Sequence, residues 1–476
     1  MNICLIFPSI SEVGFNSFGN AAFGFPASHI HHGLCSLSAS LKRSGFEVEL
    51  IDMRKLRNWS HFERELRSRK PDIVAATVMS LDCDTVMRCL SISKRVLPYV
   101  VTVVGGVHPT VSTEELQKER DVDHVVVGEG EISLVRLLAD LKDGKPVEQV
   151  IVGEPPDLDE LPFIDRELFD YEAELRTPFL PEVFEFEPPF VTIIAGRGCR
   201  YNCSFCQPAE RKLFGRHLRQ RSVENVMSEL LQLREKYHFN SLMIHDDTMT
   251  QDKHWAQEFA QQYKALGFTQ PFFAQSRADF ICNEEETIRT LSEAGLRGLS
   301  IGFESGSDRV LRFLRKGVSV EQNYRAAEIC RRYRIRIFAN YMFGVPTETN
   351  AEAYQTVQMI KKINPERRSY SFFTPLPGSD LYEYCRERDL SLVDTYAKYN
   401  RSLFVPKIKG VDYVYLRRAV EDALDLPWHK KILRYLRRNS LINRSMRLLA
   451  PYRPFQMVVL ELRHFMYRGQ HLEQQQ

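Results

Sequence analysis

Short β-rich runs separated by helix-length segments are the feature that most restricts how this chain folds. In its first third they fall at Ile3 to Phe7, Glu47 to Ile51, Ile73 to Val78, Val100 to Val104 and His124 to Val127, with helical spacing over Gly33 to Ser44. Strands joined through helices cannot pair as hairpins, so they run parallel and the sheet carries helices on both faces. A second series follows at Val191 to Ala195, Ser241 to His245, Phe272 to Gln275, Gly298 to Phe303, Arg336 to Phe343 and Arg368 to Phe373. Six such β-then-α units predict a partial barrel, open on one side, with its reactive groups at the carboxyl ends of the strands. The α/β organisation expected is a Rossmann-like (flavodoxin-like) domain over 1–140, a linker over 141–187, a partial (β/α)6 barrel over 188–385 and a basic helical region over 386–476. Prolines and acidic residues from Glu154 to Pro162 forbid regular structure and predict an extended connection between the two sheets.

The strand ends hold the candidate chemistry. In the first sheet they carry Pro8-Ser9, Met79-Ser80, Gly105-Gly106-Val107-His108-Pro109-Thr110 and Gly128-Glu129-Gly130-Glu131. Glycines after a strand let backbone amides approach a ligand, although G-G and G-E-G also serve as ordinary strand-to-helix turns. The barrel ends carry Asp246-Asp247-Thr248, Ser276-Arg277-Ala278-Asp279, Glu304-Ser305-Gly306-Ser307, Gly344-Val345-Pro346-Thr347-Glu348 and Thr374 to Ser379. Taken singly these are caps and turns; their joint occurrence on one rim is what a cofactor site requires.

After the first barrel strand comes Gly198-Cys199-Arg200-Tyr201-Asn202-Cys203-Ser204-Phe205-Cys206, a C-x3-C-x2-C spacing. Three thiolates this close on one loop can hold three irons of a four-iron, four-sulfur cluster and leave the fourth iron open. Three cysteines with a distant histidine also satisfy tetrahedral zinc, but structural zinc sites usually pair C-x2-C knuckles and no second knuckle follows. The remaining cysteines, Cys4, Cys35, Cys83, Cys89, Cys282, Cys330 and Cys385, are scattered and read as small apolar thiols in a reducing compartment.

The cysteine loop and the rim behind it resemble the radical S-adenosylmethionine (SAM) superfamily. The resemblance implies that Cys199, Cys203 and Cys206 hold a 4Fe-4S cluster whose open iron is chelated by the SAM amino and carboxylate groups. It carries SAM contact to Asp246, Asp247 and Glu304, with Ser276 and Arg277 beside them, and adenine packing to Phe205 and to Gly344, Val345 and Pro346. A sulfonium bearing an ammonium, a carboxylate and a ribose diol needs acidic groups and a cation, and Asp247, Glu304 and Arg277 are of those types. The glycine turns of the first sheet look like the cobalamin-binding domain found ahead of many radical SAM domains. That likeness implies corrinoid contacts from Pro8, Ser80, Gly105, Gly106, His108, Pro109, Thr110, Gly128, Glu129 and Gly130. The pattern D-x-H-x-x-G, which supplies a histidine to cobalt, is absent; His29, His31 and His32 lie in that region without the Asp and Gly at the required offsets. No histidine below the cobalt is therefore expected.

The activity implied is a cobalamin-dependent radical SAM methyltransferase acting on an unactivated carbon. One SAM supplies the methyl group through the corrinoid, and a second gives the 5′-deoxyadenosyl radical that takes a hydrogen from the substrate. The alternative keeps both cofactors and closes or contracts a ring, or oxidises the substrate, without methyl transfer. A transfer-RNA methylthiotransferase would need a second cysteine trio in the first domain, where Cys4, Cys35, Cys83 and Cys89 stand on widely separated segments. A corrinoid- or metal-sensing protein on a retired scaffold fits poorly with an intact trio and polar strand ends.

Composition bounds the partners. A net charge of +2, 43% apolar and 26% charged residues describe an ordinary globular chain and argue against a nucleic-acid partner. With neither a signal peptide nor a membrane-length apolar run, the expected location is cytoplasmic. A small-molecule or lipid-linked substrate and an external electron donor such as flavodoxin or ferredoxin complete the expectation. Residues 428–468 are basic and amphipathic, with Lys430, Lys431, Arg434, Arg437, Arg438 and Arg444 among apolar residues. Such a tail either caps the barrel or makes peripheral membrane contact.

Overall fold

The computed structural model describes residues 1–8, 30–176, 189–206, 215, 217–400 and 405–424. Ser9, His29 and the basic tail over 428–468, with the membrane contact considered for it, lie outside the described residues.

The first sheet contains β1 (Asn2–Phe7), β2 (Glu47–Asp52), β3 (Ile73–Thr77), β4 (Val101–Gly105), β5 (His124–Val127) and β6 (Val150–Val152), all parallel, in the order β2-β1-β3-β4-β5-β6. This is the flavodoxin-like arrangement: the order reverses between β1 and β3, and ligands of such sheets bind outside the strand ends at that switch. The last strand comes from the stretch expected to be linker, and with three residues it is too short to stand out as a pattern. Ile3, Cys4, Leu5 and Ile6 have no exposed surface, because helices cover both faces and successive side chains point to opposite sides. Cys4, Ile6, Val74, Ala76 and Val104 pack with the helices Trp59–Arg69 and Cys83–Val96. Ile3, Leu5, Ala75 and Val103 join the core that continues into the second domain.

The second sheet contains β7 (Phe190–Ile193), β10 (Ser241–Ile244), β11 (Phe272–Ser276), β12 (Leu296–Glu304), β13 (Arg336–Phe343) and β14 (Arg367–Phe372) in the order β14-β13-β12-β11-β10-β7, again all parallel. Six strands with helices outside and both edge strands unpaired with each other form the open half-barrel. Between β7 and β10 a small antiparallel pair, β8 (Gly196–Arg197) and β9 (Arg219–Gln220), flanks the cysteine loop.

The connecting segment is folded onto both domains. Asp165 accepts hydrogen bonds from Ser38 Oγ and Lys42 Nζ, each at 2.6 Å, on the helix His32–Arg43 of the first domain. The next residue, Arg166, reaches the other way, to Glu229 at 2.8 Å and to the Thr192 carbonyl at 2.9 Å. Adjacent residues of opposite charge thus fasten the two sheets at a fixed distance. Past the barrel the chain returns to the first domain, where Tyr396 packs edge-on against His108 with ring centroids 5.7 Å apart. Among the described residues no helix is long and apolar enough to cross a membrane.

Candidate active site between the two sheets

The cysteine loop is built from short-range restraints. The Ala195 amide donates to Asp246 Oδ1 at 2.7 Å, which ties the strand leading to the loop to the end of β10. Gly198, at φ 91°, makes the turn into Cys199. The loop is then pinned from the far side: Ser204 donates its amide to Leu314 O at 2.9 Å and its hydroxyl to Phe313 O at 3.0 Å, and Leu381 donates to Ser204 O at 2.9 Å. Cys203 is buried, Cys199 half-buried and Cys206 exposed. Desolvation raises the Cys199 thiol, and desolvation together with Cys203 and Asp247 pushes Cys206 up to about 11. Thiols crowded in this way ionise only against compensating positive charge, which metal ions supply. Cations are also at hand: Arg277 Nη1 lies 3.5 Å from Cys203 Sγ, and Lys316 Nζ lies 5.9 Å from the Phe205 ring. In residue type and spacing this donor set fits a four-iron cluster, which spreads its ligands; among the described residues no three Cys, His, Asp or Glu side chains are grouped closely enough to hold a single metal ion.

The structure brings several of the expected rim residues together and gives others different neighbours. Asp246 is buried beneath the loop, with one oxygen on the Ala195 amide, and burial pushes its carboxyl up to about 7. Asp247 is exposed and lines the cavity described below, as does His245. The Ser276 hydroxyl pairs with Thr250 Oγ1 at 2.8 Å. Arg277 is held by Asp279, Tyr201 and Cys203. Glu304 sits at φ 62°, where β12 slips register against β13, and its carboxylate is 2.9 Å from Lys316 Nζ. Lys316 is 7% exposed; the sequence reading overlooked it, and the signal available was a cation twelve positions after the acidic strand end. A Cβ on Gly302 would overlap the Glu304 carboxylate and stand 2.9 Å from Lys316 Nζ, so a side chain here would displace the ends of both. Gly344, at φ 73°, donates to Glu348 Oε2 at 2.6 Å. Val345 and Pro346 are buried, and Phe205 packs on the same apolar cluster as Val345 and Leu314.

A cavity of about 430 Å³ lies between the sheets. Its first-domain wall includes Leu5, Ala75, Thr77, Gly105, Gly106, Gly128, Glu129 and Gly130; Leu158, Pro162 and Phe163 come from the connector, and Gly196, Arg197, Gly198, His245 and Asp247 from the barrel side. Gly105, Gly106, Gly128, Glu129 and Gly130 therefore line one cavity. Gly106 has φ 104°, and a Cβ there would lie 2.9 Å from Thr77 Oγ1. Thr110 staples the two glycine turns, donating to Gly106 O at 2.8 Å and accepting from the Gly128 amide at 2.9 Å. Ser80 and His108 turn away and are buried together, Ser80 Oγ 3.1 Å from His108 Nδ1, with burial holding that imidazole down to about 4. Pro109 is buried on the same side, and Pro8 is buried at the end of β1. His31 Nδ1 accepts the Leu34 amide and so caps its helix, while His32 Nε2 is 2.8 Å from Thr192 Oγ1. A largely apolar slot at the carboxyl ends of the strands, floored by the glycine turns after β4 and β5, fits a flat corrinoid.

One ion cluster closes the seam. Arg197 Nη1 is 2.7 Å from Glu129 Oε2 and Arg197 Nη2 is 2.6 Å from Glu131 Oε1. Arg219 pairs with Glu129, and Ser36 donates to Glu131 at 2.8 Å. Burial opposes charge on Glu131, but Arg197 and Ser36 outweigh it and hold that carboxyl below its ordinary value.

Fold and site together set the half-barrel and its cysteine loop against the glycine turns of the first sheet, across one cavity. The family model of the radical SAM superfamily matches residues 193–360, and that of the B12 binding domain matches residues 25–138. An uncharacterized methyltransferase of Pyrococcus horikoshii is 28% identical over 391 residues, 78% of this chain and 82% of that protein. An anaerobic magnesium-protoporphyrin IX monomethyl ester cyclase of Rubrivivax gelatinosus is 26% identical over 405 residues, 80% of this chain and 70% of the relative. The radical SAM methyltransferase TsrM of Kitasatospora setae, solved with cobalamin and a 4Fe-4S cluster, superposes with a TM-score of 0.65 at 17% identity, covering 89% of this chain and 90% of that one. The chain thus carries a radical SAM domain over 193–360 and a B12-binding domain over 25–138, and the cofactors that these two domains imply are a 4Fe-4S cluster, SAM and cobalamin.

Proposed function

We propose that this enzyme transfers a methyl group to an unactivated carbon. The observation that carries the reading is the shared cavity, whose walls include both Gly198 of the cysteine loop and Gly128 to Gly130 of the first sheet. A substrate held there faces both cofactors. When bound, the reduced cluster supplies the electron that cleaves SAM, and the corrinoid supplies the methyl group to the carbon from which hydrogen has been taken.

The roles of the chain's own residues follow. Cys199, Cys203 and Cys206 hold the cluster. Asp247 on the cavity wall and the Glu304–Lys316 pair present carboxylate and ammonium groups of the types that the two ends of the SAM amino acid require. Phe205 and Val345 give the adenine an apolar surface. Asp246, with an oxygen on the Ala195 amide, positions the loop. Gly106 and Gly128 keep the cradle low enough for a flat ligand. Apolar walls exclude bulk solvent and its solutes, which limits side reactions at the reacting atoms. A low-potential electron carrier of the flavodoxin or ferredoxin type is the reductant in this reading, and the substrate is a small molecule.

Likeness to the Rubrivivax gelatinosus cyclase favours one second reading, cofactor use without methyl transfer. Anaerobic turnover with methyl-labelled SAM tests both readings. Label in product, with S-adenosylhomocysteine and 5′-deoxyadenosine both formed, selects methyl transfer; 5′-deoxyadenosine without S-adenosylhomocysteine selects the other reading.

A further inference from the structure

Arg277 offers the cation that a SAM carboxylate would seek, yet its guanidinium is committed elsewhere. Nε donates to Asp279 Oδ1 at 2.9 Å, and Nη2 donates to Asp279 Oδ2 at 3.3 Å and to the carbonyl of Lys316. That carboxylate fork fixes the guanidinium plane, which lies over the Tyr201 ring with Cζ 3.5 Å from its centroid. Tyr201 belongs to the cysteine loop itself. In this orientation Nη1 points at Cys203 Sγ, 3.5 Å away. The side chain is 6% exposed. A fork occupied by Asp279 has no matching edge left for a second carboxylate.

We propose that Arg277 sets the reduction potential of the cluster by donating a charge-assisted hydrogen bond to the Cys203 sulfur, and that it does not hold SAM. The inference rests on the radical SAM reading. Reduction by one electron, taken from a low-potential flavodoxin- or ferredoxin-type carrier, adds one negative charge to the cluster and its thiolates. A fixed N–H donor and a positive charge at one of those sulfurs stabilise the reduced form more than the oxidised one. Arg277 therefore raises the potential and makes the electron easier to accept. Lys316 links Arg277 to Glu304, since its carbonyl holds Arg277 while its ammonium meets Glu304.

The test compares wild type, Arg277→Lys and Arg277→Gln, each reconstituted anaerobically. EPR-monitored redox titration gives the cluster midpoint, and calorimetry on the oxidised protein gives SAM affinity. The expected result is a midpoint more negative in R277Q than in wild type, with R277K between them, at unchanged iron content and SAM affinity. The sign separates tuning from damage, because a loosened, wetter site favours the more charged state and moves the midpoint the other way. An unchanged midpoint in R277Q overturns the proposal, as does loss of SAM affinity without a midpoint shift. Wild-type protein that holds no four-iron cluster overturns the radical SAM reading itself, and the proposal with it.

Discussion

Arg197 Nη2 lies 2.6 Å from Glu131 Oε1, so the residue two positions before Cys199 is gripped by the glycine turn on the opposite wall of the cavity. The same guanidinium reaches Glu129 at 2.7 Å. Both carboxylates are buried, and removing the cation leaves Glu131 with the Ser36 hydroxyl and no cation, while Glu129 keeps Arg219. Arg197→Ala should cost on the order of 3–5 kcal/mol in urea denaturation. In the function proposed here it should also raise the ratio of 5′-deoxyadenosine to methylated product, since the cradle loses its register against the cluster loop. An unchanged ratio, with stability lost, would make the clasp structural only.

The glycine cradle makes a separate demand. Gly106 adopts φ 104°, and a Cβ there would stand 2.9 Å from Thr77 Oγ1. Gly106→Ala should cost about 1–3 kcal/mol of backbone strain and lower corrinoid uptake, read by the absorption of bound corrinoid after desalting. Iron content should stay at the wild-type level because the cysteine loop is not touched. Equal loss of iron and corrinoid would mean that the domain had failed as a whole.

These residues also mark how far the sequence could be read. The two parallel sheets were legible because strands covered on both faces must be apolar throughout, as Ile3 to Ile6 are. The cysteine loop stood out because three cysteines lie within one short loop. Glu129 was anticipated in the cradle, and it does line the cavity, but its pairing with Arg197 spans 68 positions and nothing local announces it. His108 was expected beside the corrinoid on the strength of its place in the glycine turn. The chain enters the helix Val107–Val111 directly after Gly106, and this rotates the imidazole onto Ser80. Lys316 was missed for the reason Glu129 was half read: a lysine in a charged stretch has no pattern until the strand end it meets is known.

Asp246 gives the pH dependence. Burial raises its carboxyl from 3.8 to about 7, so the folded protein holds this proton more tightly than the unfolded chain. Stability from this group is fully present below the ordinary value and is lost as pH rises towards 7. The slope reaches at most about 1.4 kcal/mol per pH unit. Asp246→Asn retains an acceptor for the Ala195 amide and removes the titration. Urea midpoints at pH 5 and pH 8 should therefore differ less in the variant than in wild type, and an identical slope in both would reject the assignment.

The Glu304–Lys316 pair allows a test that spares the cluster. Gly302 lies directly beneath it, and a methyl group there would overlap the Glu304 carboxylate. Gly302→Ala should displace both side chains and weaken SAM binding about tenfold, equivalent to roughly 1.4 kcal/mol. Lys316→Ala acts on the same pair differently, leaving a buried carboxylate at Glu304 without its cation. SAM affinity should fall in both variants, while iron content and the cluster midpoint of Gly302→Ala stay at wild-type values, because Arg277 touches only the Lys316 backbone. Wild-type affinity in both variants would remove Glu304 and Lys316 from the SAM site and leave Asp247 as its acidic contact.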